Sequence, residues 1–359
     1  MLLAAAILWP FVSRWLAERH GCAIRPYLDR PYRVSVVISA RNESRQLGAT
    51  LCQLKAVQGL DLHIIVVSDG SSDDTVAVAT SAGADIVLDL EVSMGKTRAL
   101  TEGLSRCRSD DIIIFMDATT VVNQQSLLAL ISPFSDPTVG ATSGLVLYDY
   151  SSSPMGIGFR WYQSLIVGNR ITDGHWFSCP SVSGALCAFR PYLWRAETRA
   201  DITPDLAIPF WCSHAGLRTV LVTEAVCSEV ARTEVRSVFK ARLRMALQAY
   251  GFMSYAWAYR HGLDRRYAMA LFGQKICRWA IPISTFMILS FASTLWPQVV
   301  LVALLTVGST TLLARLPGGG QLFGAPYFVL VVISAYVVGL LHYLAGRRAI
   351  GWDPAQQRT

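Results

Sequence analysis

The hydrophobic and polar positions divide the chain into two territories. In the first, short β-branched runs at 34–39, 63–68, 85–88 and 111–116 predict strands, and the stretches 42–57, 74–81 and 96–107 between them predict helices. Strands alternating with helices predict an α/β fold with a mostly parallel sheet covered on both faces. In such sheets ligands sit beyond the carboxyl ends of the strands, so the residues just after each strand are the candidates for chemistry.

The second territory is apolar without relief. Residues 279–314 form 36 consecutive positions with no formal charge, and 325–345 form another 21. Each run exceeds the ~20 residues that cross a bilayer core, and Trp296-Pro297-Gln298 predicts a break of the longer run into two short helices. Residues 1–12 are apolar, have no basic residue before them and precede Arg14, Arg19, Arg25, Arg30 and Arg33, which fits a signal anchor better than a cleaved signal peptide. Those arginines, with Arg265, Arg266, Lys275 and Arg278, predict that residues 20–278 face the cytoplasm. One conflict stands: three C-terminal spans end outside, yet Arg347 and Arg348 follow the last and favour the inside, so either 279–314 is re-entrant or the charge rule fails here. Between Gln248 and Lys275, Tyr250, Phe252, Tyr255, Trp257 and Tyr259 precede basic residues, as in an interfacial amphipathic helix or in a core aromatic stripe.

Composition sharpens this picture. Of 359 residues, 16% are charged and 52% hydrophobic, against ~25% charged in an average soluble domain, which excludes a disordered chain and argues against a purely soluble one. The net charge of +7 does not choose among anionic lipid, nucleotide and nucleic acid. The basic residues cluster beside the apolar runs, where topology accounts for them, so nucleic acid is not an expected partner. Eight cysteines without a CxxC pair read as scattered, reduced, mostly buried thiols. No HExxH, GxSxG or GxGxxG is present, so a zinc peptidase, an α/β-hydrolase and a dinucleotide-binding enzyme lack their signatures.

The strand ends carry Ser39-Ala40-Arg41-Asn42-Glu43, then Ser68-Asp69-Gly70-Ser71-Ser72-Asp73-Asp74-Thr75, then Met116-Asp117-Ala118-Thr119. Acidic residues thus gather at one sheet edge, where they suit hydrogen bonds to a base or ribose, or a hard divalent ion. Taken singly, Asp73 or Asp74 reads as a helix cap and Asp69 as a turn residue.

The segments VSVVISARNE, IIVVSDGSSDDT, GKTRAL and IIIFMDATT, followed by DPTVGATSG and ITPDLAIPF, resemble the membrane-bound bacterial family-2 glycosyltransferases of polysaccharide synthesis, over roughly residues 34–250. The resemblance implies a GT-A nucleotide-sugar-binding domain plus transmembrane helices. It divides the chain into an anchor at 1–19, a GT-A domain at 30–245, an interfacial segment at 246–278, transmembrane helices at 279–346 and a basic tail at 347–359. It implies Glu43 and Asp69 at the nucleoside, Ala40 giving close backbone approach, and Lys96 in the donor site. It also implies that Asp117 is the first carboxylate of a DxD motif holding Mg2+ or Mn2+ on the diphosphate, with Thr119 at the third position in place of a carboxylate. Asp205 matches the general base, although Pro204 stands where an acidic neighbour is usual and Gln163 and Asn169 stand where relatives often carry Glu. Arg244, with Arg242 as alternate, matches the cation that meets the leaving diphosphate; the full QxxRW motif of processive synthases is missing.

The implied activity is inverting, metal-dependent transfer of a sugar from a nucleotide diphosphate sugar to a lipid-linked or polysaccharide acceptor. The implied location is the cytoplasmic face of the inner membrane, in a multi-pass protein alongside other polysaccharide-synthesis proteins. The alternative is a non-catalytic GT-A scaffold or regulator of a polysaccharide synthase, which the departures at 119, 163, 169 and 204 favour.

Overall fold

The computed structural model describes residues 2–21, 32–108, 112–195, 198–231, 234–280, 284, 305, 307–314 and 319–348. Most of the 279–314 run, its Trp296-Pro297-Gln298 break, Arg25, Arg30 and the tail beyond 348 lie outside the described residues.

After helix α1 (Leu2–His20), the strands β1 (Arg33–Ala40), β2 (Asp61–Asp69), β3 (Ile86–Leu90) and β4 (Ile112–Asp117) alternate with α2 (Ser44–Lys55), α3 (Thr75–Ser81) and α4 (Lys96–Leu104). All four strands are parallel, and the order β3-β2-β1-β4 puts the chain reversal between β1 and β4. A ligand crevice forms at such a reversal. Seven of the eight β1 residues are buried because both faces are covered. Val34, Val36 and Ile38 pack toward Leu47, Leu51 and Leu54 of α2, while Val37, Ile65 and Phe115 share the opposite core with Ala99 and Leu100 of α4. Two-sided burial explains why these strands read as continuous apolar runs without a period of two.

Beyond β4 the sheet is mixed. It gains β5 (Val121–Val122), β6 (Val139–Asp149), β7 (Leu186–Phe189) and β8 (Arg218–Val230), giving eight strands in the order β3-β2-β1-β4-β7-β6-β8-β5. β7 runs antiparallel to both β4 and β6, and β5 antiparallel to β8, while β6 and β8 are parallel. The expectation of a mostly parallel sheet therefore holds for the first half; the antiparallel pairings come from strands far apart in sequence.

The remaining helices are α5 (Gln124–Ile131), α6 (Pro154–Trp176), α7 (Pro204–His214), α8 (Val235–Ala258), α9 (Arg265–Leu271) and α10 (Gly319–Leu344). Within α10, Gln321–Leu344 is long and apolar enough to cross a membrane by length and composition, and only 28% of its apolar window is buried in the protein. The aromatic stripe splits: Tyr250, Phe252 and Tyr255 are core residues, packed with Trp9 of α1 and Tyr336 of α10, whereas Trp257 and Tyr259 are exposed. α8 passes unbroken through residue 246.

Helix α10 leans on α6 where glycines allow the backbones to touch. A Cβ at Gly158 would lie 2.2 Å from the Gly324 carbonyl oxygen, and one at Gly324 would lie 2.7 Å from the Pro154 oxygen. Because the obstacles are backbone atoms, no rotamer change relieves them. Gly158→Val is expected to cost about 1–3 kcal/mol by overpacking, measured as a lower unfolding midpoint in detergent; an unchanged midpoint would mean that α10 does not dock this closely on α6.

Candidate active site

The loops after β1 and β2 are stitched together at the reversal point. Asn42 adopts φ 56°, and its side-chain oxygen accepts a bond from the Ser72 amide at 2.8 Å. The Glu43 amide donates to Thr75 Oγ1 at 2.9 Å, leaving the Glu43 side chain buried on the wall of a cavity. The capping role falls to Asp73, not Asp74: its carboxylate accepts from the Thr75 amide at 3.0 Å and the Ser44 amide at 3.2 Å. Ala40 is fully buried at the end of β1.

Asp69 is fully buried and uses both carboxylate oxygens on the chain segment before α4. Oδ1 accepts from the Met94 amide at 2.6 Å, and Oδ2 from Ser93 Oγ at 2.8 Å and the Gly95 amide at 3.0 Å. Gly70, at φ +64°, permits this close approach, since a Cβ there would meet the Ser93 amide nitrogen at 2.6 Å. Asp69 thereby fixes the segment that delivers Lys96.

Lys96 begins α4, and its ammonium donates to Asp117 Oδ1 and, at 3.0 Å, to the Gly184 carbonyl oxygen. Burial pulls its pKa down, but the carboxylates of Asp117 and Asp205 more than offset this and hold it above the ordinary lysine value. The next residue, Thr97, donates from its hydroxyl to the Ile202 carbonyl at 2.8 Å, tying α4 to the approach of α7.

Asp205 lies in the first turn of α7, one residue after Pro204 at the helix start. Proline at that position loses no helical hydrogen bond and presets the backbone, and a carboxylate there is favoured by the helix dipole. The sequence departure at Pro204 thus builds the turn that presents Asp205. The Asp205 carbonyl accepts from the Val182 amide at 3.0 Å.

Glu43, Lys96, Asp117, Thr119, Asp205 and Arg244 all line one cavity of about 1790 Å3, and Gln163 and Asn169 of α6 share its wall. Ala40 and Asp69 stand behind that wall. The two candidate arginines differ. Arg242 also lines the cavity but is buried, its guanidinium 4.9 Å from the Tyr162 ring centre, 5.2 Å from Phe328 and 5.6 Å from Phe159, so it clamps α8 to α6 and α10. Arg244 is half-buried on the cavity wall.

Sequence reasoning missed Lys275 and Arg278, which also line the cavity. They read along the chain only as charges flanking an apolar run. Burial and the neighbouring Arg278 pull the Lys275 ammonium down to about 7, against the opposing pull of Asp205.

Among the described residues no group of three or more His, Cys, Asp or Glu side chains is arranged to hold a metal ion. The oxygen donors at the strand end are the Asp117 carboxylate and the Thr119 hydroxyl, both on the cavity wall. This hard but incomplete set fits Mg2+ or Mn2+ that takes its remaining ligands from water or a bound anion.

A family model described as "Glycosyltransferase like family 2" matches residues 31–247. The poly-beta-1,6-N-acetyl-D-glucosamine synthase of Staphylococcus aureus (strain COL) is 27% identical over 230 residues, covering 61% of this chain and 55% of the relative. The enzyme of the same name from a Staphylococcus epidermidis strain is 25% identical over 221 residues, covering 59% of this chain and 53% of the relative. The chain therefore spans about half the length of these curated relatives. Among solved structures, the mannosyltransferase PcManGT from Pyrobaculum calidifontis, in complex with GDP-Man and Mn2+, aligns with a TM-score of 0.74 at 19% identity, covering 97% of this chain and 98% of that one. At that identity the likeness concerns the fold.

Removing the Asp69 carboxylate strands buried amide donors and loosens the approach to Lys96. Asp69→Ala is expected to cost about 1–3 kcal/mol per stranded donor and to weaken nucleotide affinity, read by an unfolding curve and a nucleotide titration on the same protein. Wild-type values in both would mean that the 93–95 segment needs no anchor.

Proposed function

The chain belongs to glycosyltransferase-like family 2, and from that premise we propose that it is an inverting transferase moving a sugar from a nucleotide diphosphate sugar to a lipid-linked or polysaccharide acceptor at the cytoplasmic face of a membrane. The observation that carries this reading is the convergence of Lys96, Asp117, Asp205 and Arg244 on one cavity beyond the strand ends. Sugar transfer needs a base for the acceptor proton and cations for the departing diphosphate, and this wall offers both. The Mn2+ and GDP-Man in the PcManGT structure and the synthase activity named for the staphylococcal relatives agree with it.

In this mechanism Asp205 accepts the proton of the acceptor hydroxyl. The hydroxyl oxygen attacks the anomeric carbon from the face opposite the nucleotide, the bond from that carbon to the phosphate oxygen breaks, and its electron pair leaves with the nucleoside diphosphate. Glu43 shapes the nucleoside end, backed by Ala40 and by Asp69 through the loop it anchors. Lys96 exchanges Asp117 for the diphosphate and, with Arg244, balances the charge that develops there. Asp117 and Thr119 would hold Mg2+ or Mn2+, which supplies further charge neutralisation on the diphosphate when bound. Membrane attachment rests on the apolar face of α10 and on the arginines around it and α1.

Asp205→Asn keeps size and removes the basic oxygen. Turnover is expected to fall by ~10²–10⁴ while nucleotide affinity stays near wild type, measured as initial rates beside a binding titration; a near wild-type rate in a folded variant would put the base elsewhere. Chelation of divalent ions is expected to abolish transfer, and Mn2+ or Mg2+ to restore it. Full activity in excess chelator, with nucleotide affinity unchanged by added Mn2+, would remove Asp117 and Thr119 from that role.

A further inference from the structure

The cavity is larger than one substrate needs: its volume of about 1790 Å3 exceeds the ~300–1,000 Å3 of an ordinary small-molecule site. Part of its wall is apolar and belongs to elements outside the sheet domain: Pro10 and Phe11 of α1, Leu165 of α6, and Val329, Val332 and Ile333 of α10. Phe11 is 71% exposed and Leu165 46%, so at these two positions the apolar wall lacks protein cover among the described residues.

Lys275 and Arg278 join the same wall from the helical turn after α9. Among the described residues Lys275 has no ion pair and no hydrogen bond, and Arg278 uses its Nε on the Gln274 carbonyl. Among the described residues the nearby Asp173 makes no ion pair with either; its carboxylate oxygen accepts a bond from the Trp9 indole at 3.1 Å, and burial pushes its carboxyl up to about 8. Arg170 adds a third cation to the field at Lys275, and Asp205 is the carboxylate that offsets them. Adjacent cations on a half-buried wall are costly unless an anion meets them. Lys275, Arg278 and Asp205 line the same cavity, so an anion met by the two cations shares it with the base.

We propose that this face of the cavity seats the acceptor as an amphiphile, a sugar carried on a phosphate lipid. Its phosphate rests on Lys275 and Arg278, its sugar hydroxyl reaches Asp205, and its hydrocarbon lies along α1, α6 and α10. The assignment rests on the transferase reading and selects the lipid-linked acceptor within it; the bonds made and broken are those already described.

The test uses the full chain in neutral detergent with three probes: hexadecyl phosphate, hexadecanol and inorganic phosphate. Hexadecyl phosphate is expected to bind at least about tenfold more tightly than either of the others, a margin set by one charge-assisted contact. Lys275→Met is expected to lose that margin and Lys275→Arg to keep it, with nucleoside diphosphate affinity unchanged in both. Arg278→Gln gives a second reading should Lys275→Met fail to fold. Undiminished hexadecyl phosphate binding in folded Lys275→Met and Arg278→Gln would overturn the site. Wild-type transfer rates by folded Lys275→Met onto a sugar carried on a phosphate lipid would also overturn it and leave the transferase reading standing. A wild type that binds hexadecyl phosphate but releases nucleotide from no donor would remove the transferase reading, and the acceptor assignment with it.

Discussion

The Lys96 ammonium is the contact on which the site depends. It joins the start of α4, the end of β4 at Asp117 and the chain at Gly184, three pieces separated by up to 88 residues in sequence. Two carboxylates, Asp117 and Asp205, face one cavity; the Lys96 ammonium bonds the first, and both hold it above the ordinary lysine value. The pair with Asp117 is about a quarter exposed, so solvent weakens it relative to a fully buried pair, and an incoming diphosphate can compete for the lysine. Asp69, which holds residues 93–95, and Thr97, which holds the Ile202 carbonyl, fix the backbone from which Lys96 reaches.

The cavity also links two parts of the chain that differ in chemistry. One wall is made by the strand ends of the sheet domain, the other by α1, α6, α8 and α10. The close approach of Gly158 and Gly324 and the Arg242 cage of Tyr162, Phe159 and Phe328 lock α6, α8 and α10 into one unit. Apolar helices therefore shape the site directly, beyond any part they have in holding the domain to a surface. That shared wall gives a physical reason for one chain to combine a nucleotide-sugar fold with helices of low charge.

Much of the parallel half of the sheet was legible from residues alone. The parallel strands announced themselves because burial on both faces makes their sequences uniformly apolar, and the polar residues that follow, Glu43, Asp69 and Asp117, fall at the edge where the chain reverses. The family resemblance supplied Lys96, Asp205 and Arg244. Harder to read were the antiparallel pairings of β7 with β4 and β6, since their partners are tens of residues apart and no local pattern encodes them. Pro204 looked like a loss at an acidic pair; only as the first residue of α7 does it become a device for presenting Asp205. Lys275 and Arg278 gave no local signal either, because a charge beside an apolar run looks the same whether it faces solvent or a cavity.

The central claim is that this cavity carries out sugar transfer, and the most direct measurement is turnover by the protein alone. Full-length protein in detergent is incubated with a panel of nucleotide sugars, membrane lipid extract and Mn2+, and both nucleoside diphosphate release and the glycosylated product are followed by mass spectrometry. The account predicts one donor that is consumed, with one equivalent of nucleoside diphosphate released per sugar appearing on an acceptor. Tight nucleotide binding without release or product for any donor would contradict it, leaving a protein that keeps the fold of a transferase and only binds.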